Sequence, residues 1–293
     1  MVETGYVKIK NIKPVLSGYL RKAHLLIKKS EVPCDKDVHD IRVFLKKSRA
    51  VLKLINSQDD VEQNESDIKS LVIAGRHLST VRDTSVQEKI LKNLRKKYPD
   101  LFIQLNDNNK IAALTDFADR KDQELPVLKD NLEKAANLIY KTGYSIRFRS
   151  MNNFDPQLLI KDLGRTYDKA TGCYIAARNK PTDENIHKFR KRSKDFLYQL
   201  YFFRPLNNSS VKSLEKKLDS ITRNVGRYND LAQLIRSLEY RPGNKNKAAL
   251  DELAIHIREY QDAYLEKTWI TAFKLFCPGT NFINLLGFKI LVI

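Results

Sequence analysis

The stretch VHDIRVFLKKSR, residues 38–49, sets the character of this chain. Its apolar side chains recur at three- and four-residue spacing, which is the period of an α-helix with one buried face. His39, Arg42, Lys46 and Arg49 follow the same period. At about 100° per residue, their row borders the apolar face and does not oppose it. The stretch therefore predicts an amphipathic helix whose cations lie at the edge of the core.

A similar stretch occurs in the second half of the chain. IHKFRKRSK, residues 186–194, repeats the histidine, arginine and lysine at the same spacing. A second pair of stretches, residues 78–83 and 225–230, matches at nearly the same offset. Two matches at one offset indicate an internal duplication. We therefore expect two bundles of about four helices each, with the first repeat in residues 1–145 and the second in 146–293.

Helical period runs through most of the remaining sequence. Gly and Pro are scarce, 10 and 9 residues, and the prolines mostly separate the periodic segments. Because no alternating β-branched runs bounded by hairpin turns appear, the predicted fold class is all-α. The predicted helices are 12–30, 36–56, 59–82, 84–98, 107–142, 156–179, 183–203, 208–226, 227–240 and 244–275. We expect Pro126 to break or kink the fifth helix, and the polar stretch between Thr142 and Pro156 to separate the two halves.

Composition restricts the class of partner. The 293 residues include 53 Lys and Arg against 35 Asp and Glu, a formal net charge of +18. Such an excess predicts an anionic partner, either nucleic acid, an acidic membrane surface or a polyanion. Cys34, Cys173 and Cys277 lie far apart, which argues against a disulfide framework and favours a reducing compartment. The apolar stretch 282–293 is shorter than the ~20 residues of a membrane span, so we expect a soluble, cytoplasmic protein.

The two cationic rows admit two interpretations. Cations at helical-neighbour spacing repel each other, so such a row is favoured when an external anion or acids of another helix neutralise it. Arg suits phosphate through its bidentate fork, and Lys suits it as a mobile point charge. The alternative is a solvated basic face, which is the usual meaning of a charge run. The recurrence of the row beside the core in both halves favours anion binding.

His39 and His187 lead the two rows. Neither has a second His or Cys at ligand spacing, so we predict no metal site and no cofactor. Each histidine fits either a core-edge imidazole bonded to a backbone carbonyl or a donor to phosphate. Asp83 and Asp230 fit a structural role, such as orienting an Arg or capping a turn. Since no nucleotide-binding or nucleophile motif occurs, we expect a protein that is not an enzyme.

In order and duplication, these motifs resemble the conserved-histidine α-helical domain family, CHAD. The pattern HxxRxxxKKxR at residues 39–49, followed by LSTVRD at 78–83, is similar to the first motif pair of that family. Residues 186–194, with Tyr198 further on and VGRYND at 225–230, are similar to the second pair. Each motif is weak alone, but together they cover nearly the whole chain.

The resemblance implies two four-helix bundles related by a pseudo-twofold axis, with the basic helices lining a central groove or pore. It also implies binding of inorganic polyphosphate and, in some members, association with polyphosphate granules. Some members carry an additional tunnel-type triphosphatase domain, whose acidic motif is missing here, so we expect a stand-alone binding domain. The histidine helices carry the candidate ligands His39, Arg42, Lys46, Lys47, Arg49, Lys53, His187, Arg190, Lys191 and Lys194. Flanking helices carry the second-rank candidates Arg76, Arg82, Arg165, Lys169 and Arg223.

The second motif pair departs from the first. Asp195 stands where the first copy has Lys47, and Asn229 replaces Arg82. The second half therefore offers fewer cations, and we expect the N-terminal half to contribute more charge to the binding surface.

Two other functions remain open. The net charge permits a nucleic-acid-binding protein that docks on backbone phosphates. However, no helix-turn-helix or zinc-finger motif is evident, and Trp269 is the only tryptophan. An enzyme of polyphosphate metabolism, such as a phosphatase, would need a carboxylate cluster for Mg²⁺, and none is visible in the sequence.

Overall fold

The computed structural model describes residues 12–29, 31, 33–105, 121–151, 154–239 and 247–287, with the side chains of 79–85, 121–125 and 239 left out. The helices are α1 (Ile12–Lys28), α2 (Asp35–Leu54), α3 (Val61–His77), α4 (Ser79–Lys97), α5 (Pro99–Gln104), α6 (Lys121–Phe148), α7 (Pro156–Asn179), α8 (Asp183–Leu200), α9 (Asn208–Glu239), α10 (Lys247–Phe276) and α11 (Phe282–Leu286). A 3₁₀ turn, Tyr201–Phe203, follows α8. These ranges contain no strand, and the all-α prediction is confirmed.

Side-chain capping fixes the first residues of α7 and α8. The side chain of Thr182 accepts a hydrogen bond from the backbone N–H of Asn185 at 3.3 Å, which caps α8. Asp155 caps α7 by accepting from the N–H of Gln157 at 2.8 Å, with Pro156 at the first helical position. Because α8 begins at Asp183, its histidine lies in the second turn.

The helices pack in two groups. In the first group, α1 and α3 both pack against α2 and α6. In the second group, α8 and α10 both pack against α7 and α9. This arrangement agrees with two bundles, whereas the internal duplication and the boundary between residues 145 and 146 stay predictions.

One apolar core continues through both groups. On α8, Phe189 and Phe196 are fully buried, and each contributes about 1.5–3 kcal/mol through burial. The histidine-bearing helices α2 and α8 contact each other directly. There, the Gln199 side-chain amide donates to the backbone carbonyl of Ala50 at 2.9 Å. A separate apolar cluster joins α4 and α5 to the distal parts of α9 and α10.

Two predicted helix boundaries were wrong. The helix predicted over residues 59–82 ends at His77, and α4 begins at Ser79. The two helices predicted over 208–240 are one continuous helix, α9. Buried Val225 and Tyr228 keep the apolar face of α9 continuous across the predicted break.

The stretch predicted to separate the halves, between Thr142 and Pro156, is partly helical. Helix α6 continues to Phe148 because Ile146 is fully buried in the core. The next residue, Arg149, then ties this end of α6 to the first group, and its guanidinium donates to Asp59 at 2.8 Å. Among the described residues of this stretch, 149–151, 154 and 155 lie outside the helices.

The helix predicted over residues 107–142 has different bounds in the structure. The described part of α6 begins at Lys121 and passes through Pro126 without ending. Pro126 lies in the second turn, so the lost backbone hydrogen bond is near the helix end. Residues 106–120 lie outside the described part of the chain. No described helix combines the length and apolar character needed to span a bilayer.

Candidate functional site

A cavity of about 370 Å³, which we call the inner cavity, opens between α2 and α8. Cations predominate in its lining, and the apolar contribution comes mainly from α3. The lining residues are Arg42, Leu45, Lys46, Arg49, Lys53, Leu71, Val72, Gly75, Arg76, His187, Arg190, Lys191, Lys194, Asp195 and Tyr198. Eight of the predicted ligands from the two histidine helices therefore face one space, together with the flanking Arg76.

A second cavity of about 570 Å³, the histidine cavity, adjoins the inner cavity. It is lined by His39, Arg42, Val43, Lys46, Val86, Gln87, Asp183, Glu184, His187, Arg190, Asn229, Asp230, Gln233 and Arg236. Arg42, Lys46, His187 and Arg190 line both cavities. These four side chains, two from each histidine helix, therefore form the junction between the two spaces.

Lys46 occupies the centre of this junction. Burial, together with the neighbouring charges of Arg190 and Arg42, lowers the pKa of Lys46 to about 7. Within the described part of the chain, no carboxylate forms an ion pair with Lys46 or with Arg190. Because the charges of Lys46 and Arg190 lie close together and neither pairs with a described acid, an anion that enters the junction would be stabilised.

The arginines of the junction are held by helix backbones. Arg42 donates to the carbonyl oxygen of Gly75 on α3 at 3.2 Å. The guanidinium of Arg190 lies against α9 at Gly226, where an added Cβ atom would be 3.2 Å from its Nε. Nε of Arg190 and Nε of Arg49 are buried without a hydrogen-bond partner in the described chain. The hydrogen bond to Gly75 orients the guanidinium of Arg42, and packing against Gly226 limits the positions open to that of Arg190.

Acids neutralise the cations at the far end of the inner cavity. Lys53 pairs with Asp195 of α8 at 2.6 Å, and Arg192 lies 3.6 Å from the same carboxylate. Lys194 lies 4.0 Å from Asp219 of α9. Lys53 and Lys194 are therefore neutralised by acids of other helices, which is one of the two outcomes expected from the sequence.

The histidine cavity is more acidic than the sequence suggested. Asp183, Glu184 and Asp230 all line it. Asp183 accepts a hydrogen bond from the hydroxyl of Tyr228 at 3.0 Å and lies 3.7 Å from Arg236. The positive field of the groove therefore decreases toward this end.

Both histidines of the two motif pairs, His39 and His187, line the histidine cavity. Both side chains are exposed. Partial burial and the neighbouring charges of Arg190 and Lys191 lower the pKa of His187, which favours its neutral form. Among the described residues, no group of three or more His, Cys, Asp or Glu side chains is placed to hold a metal ion.

Several predicted candidates lie elsewhere. Lys47 faces a third cavity, on the other side of Tyr198. Arg165 forms an ion pair with Asp162 of its own helix at 2.6 Å. Lys169 is exposed and Arg223 pairs with Asp219, so neither is among the residues lining the inner or histidine cavity. The side chain of Arg82 lies outside the described residues.

Sequence reasoning gave no site role to some of the lining residues. Tyr198 lines the inner cavity, and its ring centroid is 5.6 Å from Nζ of Lys194. Tyr198 follows Arg190 and Lys194 at four-residue spacing, which places the three side chains on one face of a helix. Arg236 and Gln233 reach the histidine cavity from the distal part of α9. No sequence motif connects them to the histidines.

Known proteins share both the sequence pattern and the fold of this chain. The sequence profile of the CHAD domain matches residues 20–239, most of the chain. This chain belongs to the CHAD family. The CHAD domain from the plant Ricinus communis has a similar structure, with a TM-score of 0.53 and 17% identity, covering 95% of this chain and 92% of that chain. PptA from Streptomyces chartreusis gives a TM-score of 0.60 at 13% identity, covering 89% of this chain and 98% of that chain.

At these identities, the structural likeness concerns the fold alone. A search of curated protein sequences finds no match. The CHAD resemblance of the duplicated histidine motifs and the all-α architecture predicted from helical period are both confirmed.

Proposed function

We propose that this CHAD protein binds inorganic polyphosphate in the inner cavity and at its junction with the histidine cavity. One observation carries the proposal: Lys46 and Arg190 approach each other from opposite halves of the protein, Lys46 is largely buried, and no described carboxylate pairs with either. Uncompensated charge in a partly buried site is unfavourable in the free protein. A bound anion would remove that cost, and several phosphates in series would remove more of it.

The chemistry of the lining suits phosphate oxygens. Arg42 and Arg190 provide planar forks that are already oriented by helix backbones, so few degrees of freedom are lost on binding. Lys191 and Lys194 add mobile point charges. A chain with one negative charge per unit would also release its condensed counterions on binding. We therefore expect affinity to fall steeply with salt and to rise with chain length.

The shape of the site favours polyphosphate over nucleic acid. The cations lie in a cavity between two packed helices and not on an open helical face. A nucleic acid would have to bring sugars and bases into this space along with its phosphates, whereas polyphosphate carries no side groups. Tyr198 is the one aromatic residue in the described lining of the inner cavity, which is a small stacking platform for bases.

We propose binding without catalysis. The carboxylates nearest the junction already have partners, since Asp183 accepts from Tyr228 and Glu184 pairs with Lys188 at 2.6 Å. A general base or a metal ligand would need such a carboxylate to face the phosphate chain. Orthophosphate release from purified protein, dependent on a divalent metal and abolished by His39→Ala, would contradict this part of the proposal.

The binding test compares two variants of equal charge. Arg42→Ala, Lys46→Ala and Arg190→Ala together remove the junction cations. The control triple variant, Lys69→Ala, Lys161→Ala and Lys217→Ala, removes three exposed cations outside both cavities. We expect the first triple variant to lose at least about tenfold in polyphosphate affinity at moderate salt. The control should stay within about threefold of wild type.

The same titrations separate the alternatives. Equal affinities of the two triple variants would refute the site assignment, and a circular dichroism spectrum would confirm that both are folded. DNA is then added as a competitor at equal phosphate concentration. Displacement of polyphosphate by DNA would support the nucleic-acid function instead.

A further inference from the structure

A third cavity of about 480 Å³, the outer cavity, lies on the far side of Tyr198 from the inner cavity. It is formed by α1, α2, α8, α9 and the turn after α8. Its lining comprises Tyr19, Lys47, Leu197, Tyr198, Tyr201, Arg204, Lys212, Glu215, Lys216 and Asp219. Tyr198 belongs to both linings, so its side chain separates the outer cavity from the inner one.

Cations flank Tyr198 on both sides. Nζ of Lys194, in the inner cavity, is 5.6 Å from the ring centroid, and Nζ of Lys47, in the outer cavity, is 5.9 Å from the same centroid. Lys47 also lies 5.5 Å from the ring centroid of Tyr19. Positive charge therefore continues past Tyr198, with Asp219 as the nearby acid, 4.0 Å from Lys194.

The acids of the outer cavity are largely engaged. Glu215 accepts from Nε and Nη2 of Arg204, at 2.9 and 2.6 Å, so these two charges compensate each other. Asp219 pairs with Arg223. The cavity is left with an excess of positive charge from Lys47, Lys212 and Lys216. The last two lie one turn apart on the exposed face of α9.

The opposite direction is less favourable for an anion. Beyond Lys46 and Arg190, the histidine cavity carries the carboxylates of Asp183, Glu184 and Asp230. Asp183 lies 3.7 Å from Arg236 and Glu184 pairs with Lys188, so this end offers a polyanion less net positive charge than the direction toward Tyr198.

We propose that the outer cavity is a second segment of the binding site, in which a long polyphosphate chain continues from the inner cavity across Tyr198. This inference rests on the proposed function. Short chains fill the inner cavity alone, whereas long chains contact both segments. Because the two segments bind one molecule, the second contact acts at high effective concentration and makes the affinity length-dependent.

The test uses two chain lengths and two double variants. Lys212→Ala with Lys216→Ala alters the outer cavity at exposed positions, where folding is not at risk. Lys161→Ala with Lys217→Ala removes the same charge from exposed positions outside it. We expect the outer-cavity variant to lose about tenfold in affinity for long-chain polyphosphate and to retain tripolyphosphate affinity within about twofold. The control should keep both affinities.

The outcomes distinguish the two proposals. If wild type binds long chains and the outer-cavity variant matches the control, the outer segment is refuted while the inner site stands. An equal loss for both chain lengths also refutes it, because the lysines would then act through general charge. If wild type binds neither probe, the proposed function itself fails.

Discussion

Arg190 of α8 lies against the backbone of α9 at Gly226, where an added Cβ atom would be 3.2 Å from both Nε and Nη2 of the guanidinium. No other residue type leaves this space free, since even Ala adds the Cβ atom. The glycine of the second motif pair therefore holds an arginine of the groove in position. It has this role in the middle of a helix, where glycine costs up to about 1 kcal/mol relative to Ala.

Gly226→Ala should separate stability from binding. We expect polyphosphate affinity to fall by about fivefold, because the guanidinium must shift by a few tenths of an ångström at the junction. The free energy of unfolding should change by less than about 1 kcal/mol, since gained helix propensity offsets the contact. Chemical denaturation and a binding titration measure the two quantities.

The matched control for this variant is Gly172→Ala. Gly172 lies inside α7, and an added Cβ atom there meets nothing within 4 Å. It should gain up to about 1 kcal/mol in stability and leave the affinity unchanged. Equal affinities of the two alanine variants would contradict the proposed role of Gly226.

The sequence predicted which helices line the groove better than it predicted which side chains enter each cavity. Spacing alone placed His39, Arg42 and Lys46 in one row beside the core, and the structure places that row along the cavities. Lys47 follows Lys46 by one position, about 100° around the helix, and faces a different cavity. Which cavity each side chain enters depends on how α2 packs on α1 and α8, which no local pattern encodes.

The acids of the histidine cavity show the same limit. Asp183 and Glu184 precede His187 by about one turn, so the sequence contained them. Their direction follows from the packing of α8 on α9, where Tyr228 and Arg236 contact Asp183. The periodicity of the sequence does not reveal such long-range pairs, although they determine the sign of the local electrostatic field.

Lys46 should make polyphosphate binding depend on pH near neutrality. Burial and the adjacent arginines lower its pKa to about 7, so the free protein loses this proton as the pH rises through 7. Bound polyphosphate stabilises the charged form, so affinity should fall between about pH 6 and pH 8, with proton uptake on binding. Calorimetry in buffers of different ionisation enthalpy measures that uptake.

Lys46→Met provides the control for this dependence. The lowered pKa of His187 places the titration of the histidine at lower pH, so the variant should bind weakly with little change between about pH 7 and pH 8. The free energy of unfolding also depends on pH. Because the charged form of Lys46 is disfavoured in the folded state, Lys46 lowers the free energy of unfolding most below pH 7 and less as the pH rises. The variant should therefore be stabilised most in acid, and an equal effect at all pH values would contradict the assignment.

Asp195 opposes the function that we propose for the cavity it lines. Its carboxylate pairs with Lys53 at 2.6 Å and adds negative charge to the inner cavity. Asp195→Asn should therefore raise polyphosphate affinity by about threefold and lower the free energy of unfolding by about 1–2 kcal/mol. Glu266→Gln, an exposed change of equal charge on α10, is the control and should alter neither quantity appreciably. A fall in affinity for the Asp195 variant would show that the ion pair orders the site more than it screens it.

Arg149 forms the ion pairs that attach the C-terminal end of α6 to the first group of helices. Its guanidinium donates to Asp59 at 2.8 Å and to Asn64 at 2.7 Å, and it pairs with Asp67, which burial gives a raised pKa. Arg149→Met leaves two buried carboxylates without a cation, so we expect a loss of about 3–5 kcal/mol in the free energy of unfolding at neutral pH.

The pH dependence of this loss identifies its cause. Without the guanidinium, the folded-state pKa of Asp67 should rise further, so lowering the pH from neutral to mildly acidic protonates more of the carboxylate and reduces the penalty. Adding Asp67→Asn to the Arg149→Met variant should recover part of the stability at neutral pH. Arg147→Met, an exposed change two positions away, should cost less than about 0.5 kcal/mol. A loss for Arg149→Met that is the same at both pH values and is not recovered by Asp67→Asn would point to lost packing of the arginine side chain and not to uncompensated charge.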